Sequence, residues 1–248
     1  MIIMSFGAGT NSTAMLQGLL EHGEHPDAIL FSDTGGERPE TYLHMRVAND
    51  WCKRNGFPEI TIVKKGGIQE TLEQNCLRMH ALPSLAYGFK TCSHKFKIEP
   101  QNRWMNNNIE CKSSWENGDK VTKLIGIDAD EHHRAKFHED DKYVYRYPLI
   151  EWDWGRGECI AAIKRMGICQ PGKSSCFFCP AMKKHEIREM AVIHPDLIER
   201  ALELERNAET TSVKGLGRSF SWSDLLAQQD MFEENFISVQ EACDCYDG

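Results

Sequence analysis

The chain has 248 residues, 41% of them hydrophobic and 27% charged, with a formal net charge of −8. That suits a globular protein with a sizeable core, leaves no apolar run long enough to cross a bilayer, and disfavours an extended surface for nucleic-acid backbone. The N-terminus lacks the basic start and unbroken apolar core of a signal peptide, so the expected location is the cytoplasm.

Ile2 to Phe6 is a short apolar run bounded by glycine, the pattern of a buried strand. SFGAGTNST follows, and Asn11 or Ser12 is placed to cap a helix whose apolar face carries Ala14, Met15, Leu16, Leu19 and Leu20. His22-Gly23 ends it. Ala28 to Phe31 reads as a second strand, stopped by Ser32-Asp33-Thr34-Gly35-Gly36, and a helix with an acidic start runs from about Pro39 to Asn55. Glu59 to Val63 and Lys123 to Ile127 read as third and fourth strands. Strands alternating with helices predict a doubly wound, mostly parallel α/β sheet, with its ligand at the carboxyl ends of the strands.

The C-terminal third changes character. Asp153 is placed to cap a helix through Met166, and the segment CQPGKSSCFFCP follows. A charged helical stretch runs from about Lys184 to Arg206 with a break at Pro195, and GLGRSFSWSDLL offers a glycine loop and a capped helix. The reading is an α/β domain over 1–150 and a helical, cysteine-containing region over 151–248, with a soft boundary.

A strand, a glycine turn and a helix N-terminus make an anion site. A GxxxxGK[ST] phosphate loop is excluded, since no lysine follows a glycine at that spacing. Gly7 to Ser12 reads G-x-G-x-x-S, one residue short of a dinucleotide fingerprint, and it also falls on the SGGKDS pyrophosphate loop of ATP pyrophosphatases. A tight turn without a ligand is the third reading. At the second strand end, Asp33 and Thr34 stand where a ligand could sit, and Gly35 and Gly36 allow close approach; an ordinary Asp/Gly turn is the alternative.

Ten cysteines are many for a reducing compartment: Cys52, Cys76, Cys92, Cys111, Cys159, Cys169, Cys176, Cys179, Cys243 and Cys245. Metal binding or redox chemistry explains such a set better than a disulfide framework. Cys176-Phe177-Phe178-Cys179 has the C-x-x-C spacing that sets two thiolates on one side of a turn.

The stretches SFGAGTNSTAML, FSDTGGERPETY, TCSHKFKIEP, GIDADEHHRAK, RYPLIEWDW and KSSCFFCP occur in order. Together they resemble the phosphoadenosine-phosphosulfate reductase family of adenine-nucleotide alpha hydrolases. The likeness is nearest to its short phage-type members and to the sulfur-transfer enzymes of DNA phosphorothioation, over most of residues 1–225. It implies a five-stranded, Rossmann-like parallel sheet that binds ATP or an adenylyl sulfate, with Mg²⁺, over the first loop. Ser5, Gly7, Ala8, Gly9, Thr10, Asn11, Ser12, Thr13, Asp33, Thr34 and Gly35 are then expected nucleotide contacts. Thr10 and Asn11 stand where the family pattern has Lys and Asp, so the positive charge must come from elsewhere. Arg134, Lys136 and Arg218 are the candidates; Arg134 and Asp33 are the expected catalytic groups, and Arg218 an expected nucleotide contact.

The resemblance also implies a [4Fe-4S] cluster, alternatively Zn²⁺, held by Cys92, Cys176 and Cys179. The family's first pair of adjacent cysteines is broken here by Ser93, and Cys159 is the expected fourth ligand, with Cys169 second. Cys52, Cys76 and Cys111 read as core or surface thiols. Cys243 and Cys245 are candidate catalytic thiols of the tail, although it lacks the family's Gly and His and carries Asp244 and Asp247.

The resemblance implies ATP pyrophosphatase-type adenylation coupled to sulfur transfer, with a sulfur-donor protein such as a cysteine desulfurase as partner. The alternatives are a thiol-dependent adenylyl-sulfate or phosphoadenylyl-sulfate reductase, and a degenerate nucleotide-binding module with structural zinc. A nicotinamide dehydrogenase leaves the cysteines unexplained. No membrane partner is expected; the acceptor and the oligomeric state stay open, a homodimer among the options.

Overall fold

The computed structural model describes residues 1–66, 70–83, 90–136, 140–210 and 213–228. Five parallel strands, β1 (Ile2–Phe6), β2 (Ala28–Ser32), β3 (Ile60–Val63), β4 (Val121–Ile125) and β5 (Tyr143–Arg146), form one sheet in the order β3-β2-β1-β4-β5. The expected α/β class is the observed one. Alternate strand residues face opposite ways. Met4, Phe6, Ile29, Phe31 and Leu124 join one core, and Ile3, Leu30, Val63 and Val121 join another.

The first core is covered by α1 (Thr10–Glu21), α2 (Pro39–Arg54) and α8 (Arg156–Met166), which lies along α1. The second is covered by α5 (Glu99–Asn107) and α6 (Ile109–Glu116). Helices α3 (Leu72–Arg78), α4 (Thr91–Ser93) with the π-helical turn His94–Ile98, α9 (Lys184–Ile193), α10 (Pro195–Asn207) and α11 (Trp222–Ala227) gather around a third apolar cluster, which also takes in Phe177 and Phe178. Between β5 and α8 lies the short α7 (Pro148–Glu151). Residues from both sides of position 150 share the first and third clusters. Among the described residues, no helix is long and apolar enough to cross a membrane.

Three local expectations shift. Helix α1 begins at Thr10 with Gly9 as its N-cap, rather than at Asn11 or Ser12. β4 ends at Ile125, two residues before Ile127, because a tight turn closes there: the Ile127 N–H donates to the Ile125 carbonyl at 3.0 Å. Gly155, not Asp153, is the N-cap of α8. Asp130 from the β4 loop accepts the Arg156 N–H at 2.7 Å, so a distant carboxylate does what Asp153 was expected to do. The break at Pro195 stands as expected, and so does a capped helix within GLGRSFSWSDLL, whose N-cap is Ser221.

Gly18 sits in the middle of α1 under a tryptophan. A Cβ there would lie 2.2 Å from Trp152 Cζ3, and Trp152 is itself stacked on His22 with centroids 4.3 Å apart. Gly18→Ala gains about 1 kcal/mol of helix propensity but must displace that ring, and overpacking of this kind costs about 1–3 kcal/mol. Net destabilisation is expected in denaturant unfolding, relieved in the Gly18→Ala, Trp152→Ala double variant. A stabilised single variant would contradict the packing.

Candidate functional site

β1 lies at the centre of the sheet, with β2 and β3 on one side and β4 and β5 on the other. The direction of winding therefore reverses between β1 and β4, and the crevice outside their carboxyl ends is where such sheets bind ligands. Gly7, Ala8 and Gly9 leave β1 at that point. Ala8 is buried and holds a left-handed φ of +53°, a conformation that costs a non-glycine residue energy and persists only where its surroundings enforce it. Gly9 is extended, and the N–H groups of Thr10, Asn11 and Ser12 open α1 without intrahelical partners. The loop after β4 closes on this turn: a Cβ on Gly126 would lie 3.1 Å from the Ser12 nitrogen and 3.2 Å from the Asn11 carbonyl carbon. A side chain at Gly126 would have to push the start of α1 back by a few tenths of an ångström.

Two of the expected nucleotide contacts face away from the loop mouth. Ser5 donates to Gln101 Oε1 at 2.6 Å, and Gln101 reaches on to Ser32 at 3.2 Å, so Ser5 ties β1 to β2 through α5. Thr13 is fully buried, with its hydroxyl 2.9 Å from His44 Nε2 on α2.

At the end of β2, Asp33 accepts hydrogen bonds from the Gly35 N–H and the Tyr42 hydroxyl, each at 2.8 Å, and lies 3.0 Å from Lys64 Nζ. Burial works against its charge, but these donors outweigh it and hold the carboxyl below the usual aspartate range. Gly35 has φ +71°, and a Cβ there would meet Thr71 Cγ2 at 2.4 Å. Thr34 is buried; its hydroxyl lies 3.2 Å from Glu37 Oε1 and 3.2 Å from Cys176 Sγ. Glu37, with a side chain only 1% exposed, pairs through Oε1 with Lys97 Nζ at 3.1 Å, and its Oε2 is buried without a hydrogen-bond partner.

The cysteine segment docks on this loop. Glu37 and Cys176 form an antiparallel bridge, and the Phe177 N–H donates to the Gly36 carbonyl at 2.8 Å. The Cys179 N–H donates to the Cys176 carbonyl at 3.0 Å, closing the C-x-x-C turn. On the other side, the Ser174 hydroxyl donates to the Gly7 carbonyl, so one segment touches the loops after both β1 and β2. Cys92, Cys176 and Cys179 belong to the third apolar cluster, as does Cys76. Cys159 is not brought to them. It lies in the first core on α8, where burial and then Asp128 push its thiol up to about 12. Cys169 has an interaction of its own, and Cys243 and Cys245 lie outside the described residues.

As the side chains stand, no three His, Cys, Asp or Glu residues among the described ones form a group set to hold a metal ion. The donor chemistry of the cluster nevertheless suits a soft metal. Cys76, Cys92, Cys176 and Cys179 are all free thiols in one apolar cluster. The thiolate is the form in which cysteine binds a soft metal.

The expected cations are placed differently. Arg134 is exposed at the end of the 3₁₀ turn Ala129–Arg134 and pairs with Glu131. The backbone of Lys136 exchanges hydrogen bonds with the Tyr147 hydroxyl, at 2.9 and 3.0 Å. Arg218, with φ +65°, lies in the α10–α11 connection, which the Glu205 carboxylate organises through the N–H groups of Leu216, Trp222 and Ser223. The guanidinium that does reach the first loop is that of Arg156, whose Nη1 donates to Asn11 Oδ1 at 3.3 Å. Arg156, Glu37, Lys97 and Ser174 were not singled out in the sequence; each arrives from a distant segment.

No protein-family model and no curated protein matches the sequence. Among solved structures, the chain is similar to the U34-tRNA thiolase NcsA from Methanococcus maripaludis with its [4Fe-4S] cluster, at 14% identity and a TM-score of 0.43, over 98% of this chain and 78% of that one. A likeness at that level assigns neither family nor activity.

His44 supplies a pH signature for the wall of the site. Burial lowers its pKa to about 4, and its Nδ1 has no partner. A group whose folded pKa lies below its unfolded value contributes stability above the unfolded value and loses it as pH falls. The wild type should therefore lose up to roughly 3 kcal/mol between about pH 6.5 and pH 4 from this residue. Denaturation curves across that range should show a shallower slope for His44→Gln; equal slopes would assign the loss elsewhere.

Proposed function

We propose that the chain binds an adenine nucleotide over the first loop and uses it to activate an acceptor for sulfur transfer. The observation that carries the reading is the Ser174–Gly7 hydrogen bond. It sets the cysteine segment beside the start of α1, which supports a reading in which phosphate recognition and thiol chemistry share one edge of the sheet.

In this reading, MgATP is the substrate. The N–H groups of Thr10, Asn11 and Ser12 and the positive end of α1 receive its phosphates, with the hydroxyls of Thr10 and Ser12 at hand. Arg156 supplies the positive charge that the family pattern places on a lysine. The loops after β1 and β4 orient the α-phosphate for attack, and positioning of this kind supplies most of the catalysis in phosphoryl chemistry. An acceptor oxygen bonds to the α-phosphorus, and the bond to the bridging oxygen breaks with pyrophosphate leaving. Sulfur then bonds to the activated carbon, and AMP leaves with the electron pair of the broken C–O bond. The sulfur source is a persulfide on a donor protein such as a cysteine desulfurase, and its outer sulfur forms the bond to carbon. A second thiol then attacks the donor cysteine's sulfur and breaks the S–S bond. The outer sulfur stays on the carbon as a thiol, while the donor cysteine and the attacking thiol end as a disulfide. A soft metal or [4Fe-4S] cluster held by Cys92, Cys176 and Cys179 would hold or deliver that sulfur. Residues 1–150 supply most of the nucleotide side and 151–248 the cysteine segment and Arg156.

Thermal unfolding tests the nucleotide half. A ligand present at 100 times its Kd stabilises a protein by about 2.7 kcal/mol, so MgATP or an adenylyl sulfate should raise the midpoint and NADH should not. A Cβ at Gly9 would lie 3.3 Å from Ser174 Cβ, and Gly9→Val should abolish the shift; Arg156→Gln should shrink it. A shift with NADH alone would overturn the reading.

A further inference from the structure

We propose that Asp130, on the loop after β4, is the positioning residue that aims Arg156 at the first loop. The inference rests on the nucleotide half of the proposed function and names the group that sets its positive charge in place.

Helices α1 and α8 run side by side in the same direction. At their starts Arg156 Nη1 donates to Asn11 Oδ1 at 3.3 Å, and at their ends Arg165 pairs with Glu21 at 2.7 and 3.1 Å. Both N-termini therefore open at one edge of the sheet, beside the loop that leaves β1.

One short stretch of chain touches both starts. Gly126 lies against Asn11 and Ser12, where a Cβ would come within 3.1–3.2 Å. Four residues on, Asp130 accepts the Arg156 N–H at 2.7 Å. Between them, the Ala129 N–H donates to the Trp154 carbonyl at 2.9 Å. Asp128, only 3% exposed, accepts the Glu131 N–H through its side chain at 3.1 Å. The loop after β4 is thus tied to the chain entering α8 by two hydrogen bonds and shaped by a buried carboxylate of its own.

Gly155 shows how closely Asp130 is seated. A Cβ there would lie 2.8 Å from Asp130 Oδ2 and 2.9 Å from Oδ1, so a side chain at 155 must push the carboxylate away. A carboxylate at a helix start satisfies an open N–H group and suits the helix dipole. Here it also fixes the backbone from which Arg156 reaches the first loop. Asn11 receives the guanidinium through an amide oxygen, which leaves the arginine's charge for an anion. The charge of Asp130 itself opposes a phosphate, so its contribution is geometric, and an amide in its place keeps the geometry without the charge.

The test measures MgATP affinity by calorimetry on the full chain, for the wild type, Asp130→Ala, Asp130→Asn, Gly155→Ala, Arg156→Gln and the Asp130→Ala, Arg156→Gln double variant. Arg156→Gln should bind about tenfold more weakly, the loss of one hydrogen bond to a charged group. Asp130→Ala and Gly155→Ala should each bind about threefold more weakly or worse, as a share of that same contact. Asp130→Asn, whose amide oxygen still accepts the Arg156 N–H, should bind at least as tightly as the wild type. The double variant should bind no more weakly than Arg156→Gln, because Asp130 acts through Arg156. Should Asp130→Ala and Gly155→Ala fail to fold, amide exchange in the wild type decides: the Arg156 N–H should stay protected when MgATP binds. Wild-type affinity in Asp130→Ala or Gly155→Ala, Asp130→Asn binding as poorly as a folded Asp130→Ala, losses that add, or release of the Arg156 N–H by MgATP overturns the inference. Wild-type affinity in Arg156→Gln overturns it together with the role of that arginine and leaves nucleotide binding standing. A wild type that does not bind MgATP overturns the nucleotide half of the proposed function as well.

Discussion

The hydrogen bond from the Phe177 N–H to the Gly36 carbonyl holds the candidate site together. At 2.8 Å, and with the Glu37–Cys176 bridge beside it, it makes the cysteine segment a short antiparallel partner of the loop that leaves β2. Backbone pairing of this kind fixes register, and register decides which side chains face which way. Phe177 and Phe178 go into the third apolar cluster, Cys176 is set against Thr34, and Ser174 is left to reach Gly7. Without that bond, 173–180 would be an ordinary connection between α8 and α9.

Burial explains why the segment stays there. Phe177 and Phe178 are 1% and 0% exposed, and each aromatic ring removed from water contributes about 1.5–3 kcal/mol. Gly36 lies directly under Phe178, where a Cβ would meet Cε1 at 2.7 Å. The two glycines after Thr34 therefore serve packing and turn geometry as much as any ligand. The polar groups enclosed by this packing are few and mostly matched: Thr34 with Glu37, and Glu37 with Lys97. The unmatched Glu37 Oε2 stands among them. A buried oxygen without a donor is costly, and the other oxygen of the same carboxylate lies 3.9 Å from Cys176 Sγ.

The sheet was legible because its signal is local. β1 and β2 are apolar runs stopped by glycine or aspartate, and the C-x-x-C turn is visible as four consecutive residues. β5 was not read from its residues: Tyr143 to Arg146 is a half-buried edge strand with polar ends, a pattern shared with many loops. Arg156 and Glu37 were missed for another reason. Each takes its meaning from a partner far along the chain, Asn11 in one case and Lys97 in the other. Cys159 was read on the helix that runs to Met166, and Cys76 only as a core or surface thiol. Packing sets the one in the first core and the other in the third cluster.

The central claim is that the first loop and the cysteine segment are one site. Hydrogen exchange followed by mass spectrometry, with and without MgATP, tests it most directly. Exchange should slow together in peptides covering 7–13 and 174–179, because the ligand would settle on the α1 N-terminus and tighten the Ser174–Gly7 contact. Slowing confined to the first loop with 174–179 unchanged, or protection elsewhere in the chain, would contradict the account.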